Sequence, residues 1–200
     1  IDADHWPTHV QLGALHRARG QYDASLHHYR RSVTLAPRQP DPHVDLGVTL
    51  AILGRLDEAA VHFNNALALN PKAGHAWFNL GLIHEQRGHW SEAIRHYREA
   101  ATWLPDDWQV VNKLAWLLAT LPPEAGGNPA DALPLAERAA ELTSYRDPVA
   151  LDTLAAAYAA NGRFDEAIAT GVQAVTYARQ VRDPDLAAME QRVELYRTGN

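Results

Sequence analysis

Residues 76–105 read AWFNLGLIHEQRGHWSEAIRHYREAATWLP, and one glycine in this stretch decides how the chain folds. Trp77, Leu80, Gly81 and His84 recur at i, i+3, i+4 and i+7, the spacing that gathers side chains on one stripe of a helix. Gly88 ends that helix, because glycine enters the left-handed conformation without the steric penalty a Cβ brings. A second run follows, with Ser91 placed to cap its free amides and Pro105 placed to close it. The stretch therefore predicts a helical hairpin. Gly81 and Ala93 let the two backbones approach, and Tyr97 fills the space beside them, contributing about 1.5–3 kcal/mol if fully buried.

The hairpin recurs. HVQLGALHRARGQYDASLHHYRRSVTLAP (9–37) and HVDLGVTLAILGRLDEAAVHFNNALALNP (43–71) set Gly13, Gly47 and Gly81 at intervals of 34. Gly20, Gly54 and Gly88 keep the same interval, as do Pro37, Pro71 and Pro105. A later copy, ALDTLAAAYAANGRFDEAIATGVQAVTYA (150–178), has Ala155 at the small position, Gly162 at the turn and Ala167 in the second helix. Asp23, Asp57 and Asp165 stand where Ser91 stands, so each is expected to cap its helix and to suit its positive end. Tyr29 and Phe63 take the place of Tyr97.

The fourth copy departs from this spacing. WQVVNKLAWLLATL (108–121) is followed by PPEAGGNP (122–129) before ADALPLAERAAEL (130–142), and Ala93 to Ala132 is 39 residues instead of 34. Pro134 suits the first turn of a helix that begins near Asp131; alternatively, Asn128 caps a helix that begins at Pro129. At the C-terminus, DPDLAAMEQRVELYRTGN (183–200) predicts one further helix, with Leu186, Met189, Val193 and Tyr196 on one face. Such a helix would cap a stack of repeats.

This pattern resembles the tetratricopeptide repeat (TPR) family, whose 34-residue unit runs W-x2-L-G-x2-Y, then G-x-Y, then A-x3-Y/F-x2-A and P. Trp77, Leu80, Gly81, Gly88, Trp90, Ala93, Tyr97, Ala100 and Pro105 carry the fullest match, and the resemblance covers residues 6 to about 181. It implies an all-α fold, an α-solenoid that forms a right-handed superhelix of about five helix-turn-helix repeats with a C-terminal capping helix, the first helices lining a concave groove. The repeats are expected at 6–39, 40–73, 74–107, 108–147 (extended turn 121–131) and 148–181, with 182–200 as the cap and 1–5 as the tail of a preceding repeat. The C-terminal segments resemble the end of longer bacterial TPR proteins, and a start at Ile1 with one methionine, Met189, is expected of a piece of a longer array. An under-covered N-terminal face would then be a surface for self-association.

Composition narrows the chemistry. A net charge of −6 without a Lys/Arg block lacks the basic stripe that phosphate neutralisation needs, so no nucleic acid partner is expected. No apolar run approaches the ~20 residues that span a bilayer, so no membrane insertion by this segment is expected. The expected compartment is cytoplasmic, with the periplasm as alternative; the absence of Cys agrees with either and removes disulfides, thiolate metal sites and Cys nucleophiles.

HEQRGH, residues 84–89, lies one residue from the zinc signature H-E-x-x-H. Register explains it otherwise. His84 shares its column with His16, Leu50, Leu118 and Tyr158, and His9 and His43 share theirs with Trp77, Val111 and Leu151, so these are packing slots. His28, His62 and His96 recur on second helices and are expected to form an outer ladder. Neighbouring hairpins stack about 8–10 Å apart, whereas zinc ligands lie roughly 2 Å from the ion, so no shared metal is expected. His5 and His9 have a ligand-like i, i+4 spacing but are interrupted by Pro7. With no G-x-S-x-G and no phosphate loop, no catalytic residue, metal or cofactor is expected, and the chain is not expected to be an enzyme.

The resemblance implies that a peptide-binding groove would be lined by Val44, Val48, Ile52, Phe78, Leu82 and Trp116, an apolar strip, with Asn79, Asn112 and Lys113 as polar contacts. The clamp by which some family members grip acidic tails is absent, since Val44 and Val48 stand where its Lys and Asn would be and only Asn79 and Lys113 match. The asparagine ladder of the O-GlcNAc transferase superhelix is absent as well: its column reads Gln11, Asp45, Asn79, Lys113 and Thr153. An apolar groove with acidic flanks suits an extended or helical apolar segment, basic at one end. The same side chains could instead pack between first helices. The expected function is a non-catalytic protein–protein interaction scaffold that binds a peptide or partner protein in the groove. The alternative is an accessory, substrate-recruiting region of a larger enzyme such as a glycosyltransferase.

Overall fold

The computed structural model describes residues 5–199, so the expected tail at Ile1 to His5 lies, except for His5, outside the described residues. Among the described residues there are eleven α-helices and no strand. The chain divides into two compact units. Unit 1, residues 1–88, holds α1 (Trp6–Ala18), α2 (Tyr22–Leu35), α3 (Pro40–Ile52), α4 (Leu56–Leu69) and α5 (Gly74–Gln86). Unit 2, residues 89–200, holds α6 (Trp90–Trp103), α7 (Trp108–Thr120), α8 (Pro129–Leu142), α9 (Pro148–Ala160), α10 (Phe164–Val181) and α11 (Leu186–Arg197).

The turn glycines behave as their spacing requires. Gly20, Gly54, Gly88 and Gly162 have φ of +70°, +74°, +71° and +74°. At Gly20 the amide donates to the Arg17 carbonyl (3.0 Å) and the next amide, of Gln21, to His16 (2.9 Å); Arg55 on Leu50 and Arg163 on Tyr158 repeat the longer bond at 2.9 Å. This Schellman arrangement satisfies the orphan carbonyls of the first helix and starts the second almost at once.

That compactness corrects the capping expectation. The residues before α2, α4, α6 and α10 are Gln21, Arg55, His89 and Arg163, and none makes a side-chain cap. Asp23, Asp57, Ser91 and Asp165 lie inside the first turn, where the carboxylates still face the positive helix end. True caps fall elsewhere: Asp107 accepts from the amides of Gln109 (3.0 Å) and Val110, Asp147 from those of Val149 (2.9 Å) and Ala150 (3.0 Å). In the fourth copy Asn128 caps α8 through the Asp131 amide (3.3 Å), so the helix starts at Pro129 and Pro134 lies within it. The extra residues form a short 3-10 turn, Pro123–Ala125, tied back by the Asn128 amide on the Leu118 carbonyl (2.8 Å).

Packing inside the hairpins follows the small-and-large pairing. A Cβ on Gly13 would come 2.8 Å from the Tyr29 ring, and one on Gly47 2.6 Å from the Phe63 ring, so both glycines are occupied by the aromatic face opposite them. Tyr29, Phe63, Leu46 and Leu50 are almost fully buried and centre the core of unit 1. In unit 2, α11 buries Met189, Val193 and Tyr196 with Leu186 half-buried, the face the sequence predicts.

Candidate functional site

Each unit places its part of the expected groove on first helices. In unit 1, Val44, Val48 and Ile52 follow one another at i, i+4 and i+8 along α3. Val44 and Val48 are half-buried against the core, whereas Ile52 is 51% exposed. On α5, Phe78, Asn79 and Leu82 are all half-buried. The Asn79 amide nitrogen donates to the His75 carbonyl (2.7 Å). The flank is acidic but engaged: Arg17 approaches Asp45 with Nη2 3.4 Å from Oδ1, and its guanidinium lies 5.4 Å from the Tyr29 ring centre. Burial pushes the Asp45 carboxyl up, with Arg17 pulling the other way, and burial with Asp45 pushes the Tyr29 hydroxyl up to about 12.

Unit 2 presents different chemistry on α7. Asn112 is only 6% exposed, and its Oδ1 has no hydrogen-bond partner among the described residues. Lys113 and Trp116 are half-buried. Over the Trp116 ring, at 5.2 Å from its centre, stands the guanidinium of Arg192 from α11. Arg192 in turn grips Asp152 of α9 with both ends of its fork, Nε on Oδ1 at 2.9 Å and Nη2 on Oδ2. Asp152 is 5% exposed; burial raises its carboxyl above the ordinary range even though Arg192 opposes the shift. Burial beside this carboxylate pushes the Tyr196 hydroxyl up to about 12.

Arg192 is the residue that sequence reasoning missed. Its signal is a cation at the third position after Met189 and directly before Val193, inside the stripe read as apolar. The near-miss to a zinc motif separates as register predicts: His84 is on α5, Gly88 is in the turn, and His89 precedes α6. Among the described residues no group of three or more His, Asp or Glu is arranged to hold a metal ion. Nor is any helix among them long and apolar enough to cross a membrane.

Consecutive helical hairpins with a glycine stop and a closing proline define a helical repeat protein. The chain belongs to the tetratricopeptide repeat family, which it matches over residues 10–66 and 53–109, and again over 148–170. No curated protein matches its sequence. Among solved structures it is similar to TTC0263, a thermophilic TPR protein in Thermus thermophilus, at 22% identity over 96% of this chain and 100% of that one, with a TM-score of 0.65. MamA from Desulfovibrio magneticus RS-1 is 15% identical over 88% of this chain and 96% of its own, with a TM-score of 0.70. YrrB, a TPR protein with an unusual peptide-binding site, is 16% identical over 96% and 94%, with a TM-score of 0.69. At these identities the likeness is one of fold, the all-α TPR solenoid.

Proposed function

We propose that this chain is a non-catalytic scaffold that binds a segment of a partner protein on the first helices of its repeats. The observation that carries the reading is the half-exposed apolar stripe Val44, Val48 and Ile52 on α3, with Phe78, Leu82 and the Asn79 amide on α5. Apolar side chains with a few convergent polar groups are the ordinary make-up of a binding surface. The similarly folded YrrB is described as having a peptide-binding site, which agrees with this use of the fold. The segment it suits is apolar and extended or helical, with a basic end towards Asp41 and Asp45. In unit 2 the reading assigns Lys113 and Trp116, both half-buried, to contacts with the partner, with Arg192 already on the indole, whereas Asn112 is too buried to reach it.

Panning a peptide library against the chain, then measuring the selected peptides on Asn79→Ala and Trp116→Ala by calorimetry, tests the assignment. Loss of about tenfold in affinity in at least one variant is expected, the scale of a truncated interface hot spot. Unchanged affinity in both would overturn it.

A further inference from the structure

His28 and His62 on the second helices turn towards first-helix histidines of their own hairpins. Nδ1 of His28 lies 3.0 Å from Nδ1 of His9, and Nδ1 of His62 lies 3.1 Å from Nδ1 of His43. The ring centres are 5.3 Å apart in both pairs, and the planes are tilted by 36° and 34°. This is one contact made twice, 34 residues apart. The third hairpin has Trp77 in the first-helix column, its indole nitrogen donating to the Pro71 carbonyl (2.9 Å), and the later ones have Val111 and Leu151. All eleven histidines lie in residues 1–96, so α7 to α11 contain none.

A hydrogen bond between two Nδ1 atoms holds one proton. When both rings are neutral one donates and the other accepts, and when one ring is charged it still donates to its neutral neighbour. A second added proton leaves two N–H groups of like charge facing each other across about 3 Å, where neither can accept. In the second pair the Pro37 carbonyl favours a proton on the His43 ring, against the burial that disfavours it. The surroundings mostly oppose more charge. His16 of α1 stacks on His28 at 5.3 Å and His27 of α2 meets it edge-on at 5.3 Å. Around the second pair, Arg30 of α2 opposes charge on His62 and Glu58 of α4 favours it. Burial comes first among the causes that hold His28, His43 and His62 below the ordinary imidazole value.

We propose that the two imidazole pairs are an acid-sensitive latch: each holds its own hairpin closed, α1 on α2 and α3 on α4, while it carries no more than one extra proton, and is forced open by the second. The sign follows from linkage. A histidine held below its ordinary value in the fold gives its full stability above the unfolded value of about 6.5, and loses it as pH falls below that value. His43 is 7% exposed, so the second pair carries most of the effect, and the first, more open to solvent, adds less.

Native-state hydrogen exchange on the full chain tests this. Each proton withheld by the fold lowers protection about tenfold between pH 7.5 and 5.5. The protection factors of α3 and α4 are therefore expected to fall by about that much, those of α1 and α2 by less, and those of α7 to α11 to hold. In the double variant His28→Gln, His62→Gln, whose amides do not titrate, the fall is expected to shrink to the part owed to the burial of His43. If that variant does not fold, nitrogen NMR of the wild-type rings decides: one ring in each pair should stay neutral at a pH where a free imidazole is charged. Rings that all charge in the free range, an undiminished fall in the double variant, or an equal fall in α7 to α11 would each overturn the latch.

Discussion

Unit 1 and the later hairpins of unit 2 fill the same repeat positions with opposite volumes. In unit 1 the first-helix small residue is glycine and the residue facing it is aromatic: Gly13 lies under Tyr29 and Gly47 under Phe63. In unit 2 the corresponding columns read Ala115 with Ala136, and Ala155 with Gly171. Where the second helix loses its ring, something else fills the space. At Gly171 it is Val193 of α11, whose Cγ2 would lie 2.7 Å from a Cβ placed there. The repeat fixes the volume of a slot and leaves open which element supplies it, so the C-terminal helix docks because the fifth hairpin gave up its aromatic residue.

The largest effect should come from returning that residue. Gly171→Tyr restores the column of Tyr29, Phe63 and Tyr97 and puts a ring where Val193 packs. It is expected to expel α11, exposing Met189, Val193 and Tyr196, each of which contributes about 1.5–3 kcal/mol through burial. Hydrogen exchange of residues 186–197 and proteolysis at this helix would report the loss; a protected α11 would mean that the slot has more room than the contact indicates. The converse change belongs to unit 1. Gly47→Ala brings a methyl against Phe63 and is expected to cost about 2 kcal/mol in urea denaturation, overpacking outweighing the gain in helix propensity. Phe63→Leu in the same chain should recover part of that cost.

Polarity separates the two units in a second way. In unit 1 the half-buried pair of Arg17 with Asp45 is loose at 3.4 Å, whereas unit 2 closes Arg192 on Asp152 at both ends of the guanidinium. The two partners are not equally buried, at 24% and 8% side-chain exposure, so their removal should be unequal. Arg192→Ala strands a buried carboxylate and is expected to cost about 3 kcal/mol at neutral pH, whereas Asp152→Ala leaves a cation that can turn to water and should cost about half as much. The pH dependence follows the raised carboxyl of Asp152. A group whose folded value lies above its unfolded one stabilises most below the unfolded value and loses that contribution as pH rises through the folded one. The deficit of Arg192→Ala should therefore shrink towards pH 4, and a deficit that is flat with pH would assign the loss to packing of the arginine stem.

How much of this was legible in the sequence depends on the range of the interaction. The glycine stops and the closing prolines are backbone events within a few residues, and the period of 34 exposes them directly. So does the pairing of Gly47 with Phe63, sixteen positions apart in every regular copy. Asp23 and Asp57 do not cap, because the Schellman turn consumes its residues quickly, so that the helix starts at Tyr22 or Leu56 and the acid behind it already lies inside. Of the expected groove residues, the apolar stripe follows from period alone. The burial of Asn112 and the cover on Trp116 depend on contacts far apart in sequence, Arg192 meeting Asp152 across 40 residues, and no local pattern carries them.

The caps provide the smallest test of the difference between the units. Asp147 and Asp57 look alike in sequence, each an acid next to the start of a helix, but Asp147 stands outside α9 with its Oδ1 on two amides, and Asp57 stands inside α4. Asp147→Ala removes two hydrogen bonds from orphan donors and is expected to cost about 1 kcal/mol. Asp57 has the helix end and Arg87, 2.7 Å away, for company, but its side chain is 93% exposed and solvent screens both. Asp57→Ala should be hard to separate from the wild type in urea denaturation, and what difference there is should disappear in high salt. A cost at Asp57 as large as that at Asp147 would mean that the Schellman turn opens in solution and lets the acid reach the cap position that its sequence suggests.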